Sequence, residues 1–144
     1  ATQGRILEAV ADPQGAAVPI TPVISVEPAE PSESAVWSVL AVLLAPAVTA
    51  WALERTYGTA LARGALKLAA REVLSLPLPP DRSAWAHGAA CAERAQAATD
   101  PGDRRAHLEE LAVAMEAAYG VEPAITQWWL ERLDRTRPRR AGPT

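Results

Sequence analysis

Nineteen consecutive residues, from Ala35 to Leu53, carry no charge, and one proline, Pro46, sits inside them. A run of this length and polarity is restricted to two fates: a single membrane span, or helical structure buried in a protein core. Trp37 and Trp51 lie near its ends and Arg55 just beyond, as interfacial anchors of a span would. Against a span, alanine is only weakly apolar, Ser38 and Thr49 add polar atoms, and Pro46 divides the run. Proline is favoured at the first position of a helix and disfavoured inside one, so two short buried helices, with Pro46 opening the second, explain the pattern equally well.

The sign of charge changes immediately afterwards. Arg55, Arg63, Lys67 and Arg71 fall within a stretch that has no acidic residue, although the 144-residue chain has a net charge of -3. Gly58 is placed to end the preceding helix, Ala65 to Ala69 reads as a short extended segment, and Ala70 to Leu76 as a short helix. Leu76, Pro77, Leu78, Pro79 and Pro80 then close the stretch rigidly. If the segment were helical, Arg63, Lys67 and Arg71 would share one face; either geometry leaves a basic surface. Such a surface suits an anionic partner, with the four cations on phosphates and Thr56, Tyr57 and Thr59 as hydrogen-bonding or groove-probing groups. The alternative is an ordinary solvated face. A second basic group, Arg132, Arg135, Arg137, Arg139 and Arg140, lies in or near the tail from 135 to 144, which reads as disordered.

The rest of the chain is expected to form one α+β domain. Residues 5 to 11 and 17 to 26 are apolar and β-branched and flank Asp12-Pro13-Gln14-Gly15, which predicts a β-hairpin; Pro19 and Pro22 make its second strand an edge. A mainly helical part follows. Residues 1 to 80 hold the hairpin, the apolar helix pair and the basic segment, and residues 81 to 134 the remaining helices. These are a helix from Ala84 to Ala98 capped by Ser83, one from about Arg104 to Tyr119 ending at Gly120, and one starting near Pro123.

The order of small-residue helix, Gly-Thr loop, Ala-Leu-Lys-Leu and Leu-Pro-Leu-Pro resembles the C-terminal target-recognition regions of adenine-specific DNA methylases of high-GC bacteria. The resemblance extends to Ala1-Thr2-Gln3, Thr21-Pro22-Val23-Ile24-Ser25-Val26, Trp51-Ala52-Leu53, Ala118-Tyr119-Gly120-Val121 and Trp128-Trp129. It implies a restriction-modification protein that uses S-adenosylmethionine. Its partners would be duplex DNA and a catalytic methyltransferase domain of the same parent protein, and its location cytoplasmic, without a membrane. The opening Ala-Thr-Gln, without methionine, suits a piece of a longer protein.

Catalysis is not expected of this chain. The family's catalytic loop has the form Asn or Asp, Pro, Pro, aromatic, yet the sequence has no asparagine, and Asp12-Pro13 and Asp100-Pro101 are followed by Gln14 and Gly102. The glycine-rich turn expected for S-adenosylmethionine is missing as well, so the cofactor is implied for the parent enzyme alone. His87, Cys91 and His107 fall short of a zinc set, and the lone Cys91 allows no intrachain disulfide. Ser75 or Ser83 with His87 and Asp81 lacks a nucleophile elbow. Glu109, Glu110 and Glu116 share a helix with Arg104 and Arg105, where solvated ion pairs are the default. Three roles therefore remain: DNA positioning through Arg55, Thr56, Tyr57, Thr59, Arg63, Lys67 and Arg71, a helical interaction module docking through Trp128 and Trp129, or, less favoured, a single membrane span through residues 35 to 53.

Overall fold

A computed structural model describes residues 6–56 and 68–135. All regular structure among them is helical: α1 Glu33–Leu44, α2 Pro46–Thr56, α3 Ala70–Leu74, α4 Arg82–Ala97, α5 Pro101–Tyr119 and α6 Pro123–Arg135. The expected α+β fold with an N-terminal hairpin is therefore overturned, because the described residues contain no strand.

The reason lies in where the N-terminal backbone finds its partners. The turn forms as expected: the Gly15 amide donates to the Asp12 carbonyl at 3.2 Å, and Gly15 takes φ 64°. The Asp12 carboxylate accepts from the amides of Ala17 and Ala16, at 2.6 and 3.1 Å. The residues before the turn, however, bond to helices. The Gln96 side chain accepts from the Ala11 amide at 2.7 Å and donates to its carbonyl at 2.8 Å, as a neighbouring strand would. Leu7 donates to the Thr49 hydroxyl at 3.4 Å, and Ile6 is buried with Ala112 and Trp129. After the turn, Pro19 and Pro22 lack amide protons, and the bond from the Val23 amide to the Ile20 carbonyl bends the segment at mid-length. No ladder is left to form.

The charge-free run folds as two helices. Ser32 caps α1 through its hydroxyl on the Ala35 amide, and Ala45 is extended, as the residue before a proline prefers. Pro46 opens α2 at a bend of 56°. No single helix among the described residues is long and apolar enough to cross a membrane; only the bent pair has the length and composition. Both helices bury residues in the protein instead: Leu40, Ala41, Val42 and Val48 share a core with Cys91, Leu111 and Met115.

Helices α4 and α5 form the central antiparallel hairpin, with α1 packed on α4. Their faces are alanine-rich and approach closely: a Cβ placed on Gly88 would lie 2.5 Å from the Met115 sulfur. Helix α4 begins at Arg82, capped by Asp81 rather than Ser83, since the Asp81 carboxylate accepts from the Ser83 and Ala84 amides, each at 3.0 Å. Helix α5 begins at Pro101, three residues before the expected start, because Asp100 caps the Gly102 and Asp103 amides. It ends on Gly120 at φ 65°, the left-handed conformation glycine adopts without penalty.

Candidate functional site

The basic stretch is framed by two exposed arginines. Arg55, in the last turn of α2, stacks its guanidinium 4.3 Å from the centre of the Trp51 ring, one helical turn earlier. This holds the head group at the surface without neutralising it. Arg71 lies on α3, beside Glu72, but the Glu72 carboxylate is turned back to accept from the Ala69 amide at 2.6 Å. Among the described residues neither Arg55 nor Arg71 forms an ion pair.

Thr56 departs from expectation. It is 3% exposed, and its hydroxyl donates to the Ala52 carbonyl at 2.8 Å, so α2 itself consumes the group assigned to the DNA face. Tyr57, Thr59, Arg63 and Lys67, with the expected Gly58 helix end and most of the extended segment from Ala65, lie outside the described residues.

The proline segment after α3 is tied to the helical body. The Tyr119 hydroxyl donates to the Pro77 carbonyl at 2.7 Å, Leu76 packs on the main core, and Pro79 is buried. Burial pushes the Tyr119 phenol above its ordinary range, which favours the protonated form that donates this bond. Arg71 is thus six residues from a fixed anchor.

The other polar clusters have structural occupations. Cys91 is fully buried; its sulfur lies 3.9 Å from His87 Nε2 and 4.0 Å from Glu110 Oε2, and accepts from Arg94 at 3.2 Å. Burial raises the thiol above its usual value despite Arg94, which disfavours the thiolate a nucleophile needs. Arg94 and Glu110 join α4 to α5 at 3.0 Å, and that bond, with His107 Nδ1 3.6 Å away as a lesser influence, holds the Glu110 carboxyl below its usual range. Among the described residues no three His, Cys, Asp or Glu side chains are placed to hold a metal ion. The candidate triad is likewise dispersed: Ser75 donates to the Glu72 carbonyl and Asp81 caps α4. Glu109 pairs with Arg105 at 2.6 Å, as the helical spacing suggested.

Of the two adjacent indoles, Trp129 is 1% exposed and seated against Ile6 and Ala112, while Trp128 is half-buried with Arg132 stacked 4.0 Å from its ring centre. Trp129 is thus a core residue, and Trp128 alone of the pair remains partly exposed. Arg135 is the last residue of α6, and Arg137, Arg139 and Arg140 lie outside the described residues.

A shallow groove of about 330 Å³ between α1 and α4 is lined by Ala35, Ser38, Val39, Arg82, Trp85 and Ala86. It presents no carboxylate for ribose hydroxyls and no glycine-rich turn, so it does not fit S-adenosylmethionine. The chain matches no protein-family model, no curated protein and no solved structure.

Sequence reasoning missed the Gln96 anchor and the Asp81 and Asp100 caps. Asp-x-Ser at 81–83 and Asp-Pro-Gly-Asp at 100–103 carried the capping signal in plain view, whereas a glutamine in an alanine-rich helix gave no sign of a backbone partner 85 residues away.

Proposed function

We propose that this chain is a non-catalytic DNA-binding part of an adenine-specific DNA methylase, holding duplex DNA for a catalytic domain located elsewhere in the parent protein. The observation that carries the proposal is the acid-free basic stretch from Arg55 to Arg71, whose two described cations are exposed and without a carboxylate partner. Phosphate contact needs cations of this kind, able to exchange water and counterions for phosphate oxygens. Neighbouring contacts help to orient them: Arg55 stacks on Trp51, and Arg71 is followed by a proline segment bonded to Tyr119.

The role is positioning. Cys91 is buried, Asp81 caps α4, Ser75 bonds to the Glu72 carbonyl, and Glu109 and Glu110 are paired with arginines; S-adenosylmethionine belongs in this reading to the parent enzyme. The test is fluorescence anisotropy with a labelled duplex across a salt series, comparing the chain with Arg55→Glu/Arg71→Glu. Binding that weakens steeply with salt and falls in the variant supports the proposal. Absence of duplex binding at low salt, or binding indifferent to both charges, refutes it.

A further inference from the structure

Between Ala11, held by Gln96, and Ser32, which caps α1, the chain leaves the helical body. Val18, Ile20 and Val23 are 86%, 78% and 66% exposed, and Ile24 and Val26 also remain exposed. Scattered surface valines need no explanation, but five β-branched apolar residues within nine positions form a continuous apolar ribbon.

The backbone of this ribbon is equally unsatisfied. The Val23 amide closes the turn to Ile20, but from Ile24 to Glu27 no amide or carbonyl has a protein partner among the described residues. These residues belong to no helix and lie between Pro22 and Pro28, which limit the length over which a ladder can form. In extended conformation Ile24 and Val26 face one way and Val23, Ser25 and Glu27 the other, an arrangement suited to a strand added to an existing sheet. The described part of the chain has no sheet to receive it.

Charge identifies what can cover it. No lysine, arginine or histidine occurs between Arg5 and Arg55, whereas Asp12, Glu27, Glu30 and Glu33 are all exposed. An apolar ribbon flanked only by carboxylates is disfavoured on duplex DNA and on anionic bilayers, and a second copy pairing through the same segment would bring the same carboxylates. The complementary surface is apolar along a sheet edge and basic at its rim. We propose that Val23 to Glu27 is a docking strand that pairs with the exposed sheet edge of a partner protein flanked by lysine or arginine side chains. Anchorage at Ala11 and Ser32 shortens the free loop and lowers the ordering cost of docking. This is independent of the DNA proposal, which concerns the basic stretch.

The probe is a backbone-cyclised β-hairpin peptide whose free edge alternates valine and lysine, titrated into the ¹⁵N-labelled chain while amide exchange is followed. The expected result is protection at alternate amides from Ile24 to Glu27, with Ile24→Lys weakening binding about tenfold or more and leaving the helical circular dichroism unchanged. No protection at millimolar hairpin overturns the proposal. So does equal binding by a hairpin N-methylated along the free edge, which would show apolar capture without strand pairing. Equal binding by a glutamate-edged hairpin removes the charge argument and overturns the assignment of a basic rim. Tighter binding to phosphatidylglycerol vesicles, or dimerisation of the chain through these same amides, assigns the ribbon to another occupant and also overturns it.

Discussion

Replacing Gln96 with alanine tests why the N-terminal segment is a strap on helices rather than half of a hairpin. The side chain makes two bonds of good length to the Ala11 backbone, at 2.7 and 2.8 Å, in a partly buried site. Each such bond contributes about 0.5–1.5 kcal/mol net, so the loss is about 1–3 kcal/mol. For a domain of this size that corresponds to a fall in melting temperature of roughly 3–10 °C. Urea denaturation measures the first figure and thermal circular dichroism the second. Amide exchange supplies the local readout: the Ala11 amide loses protection, and Leu7, held on Thr49, partly follows. Gln96→Glu keeps an acceptor for the Ala11 amide but loses the donor to its carbonyl, so it recovers part of the loss. If Ala11 is as protected in Gln96→Ala as in the parent chain, the bonds are not what holds the segment. Persistent protection together with a gain of β signal would restore the hairpin.

Other perturbations have equally definite outcomes. Gly88→Val brings two further carbons into a gap where even a Cβ meets Met115, and it should cost about 1–3 kcal/mol in urea denaturation by overpacking. Gly120→Ala forces a Cβ into a left-handed conformation at the end of α5, at about 1–2 kcal/mol by the same assay. Cys91 should resist iodoacetamide in the native chain and react once urea unfolds it, because it is fully buried and its thiol is raised; rapid native labelling would show an accessible thiolate. Asp12 and Glu110 are both held below their ordinary values of 3.8 and 4.5, by the Ala17 amide first and by Arg94 first respectively. Their folded-state pKa values lie below the unfolded ones, so their stabilisation is present above those unfolded values and is lost as pH falls through the folded ones. Acid denaturation should therefore flatten in Asp12→Asn/Glu110→Gln, and an unchanged acid limb would contradict the assignment.

Local signals in the sequence are legible and distant ones are not. Pro46 announces the break between α1 and α2, and Gly120 the end of α5, because each acts on its own backbone. The turn at Asp12 to Gly15 is legible for the same reason. The hairpin around it fails because a strand's identity depends on what lies beside it, and here that neighbour is Gln96, far along the chain. The helix starts at Arg82 and Pro101 precede the expected ones because the caps at Asp81 and Asp100 outweigh apolar periodicity. At the site, the exposure of Arg55 and Arg71 follows from their charge, whereas the burial of Thr56 follows from the packing of α2, which the local run of residues does not specify.

The salt dependence of duplex binding tests DNA positioning most directly. The slope of log affinity against log salt should become shallower by about two in Arg55→Glu/Arg71→Glu, one for each phosphate that is no longer neutralised, with a similar weakening for unrelated duplex sequences. A slope identical in the variant and the parent chain, or no measurable binding of either at low salt, would contradict it.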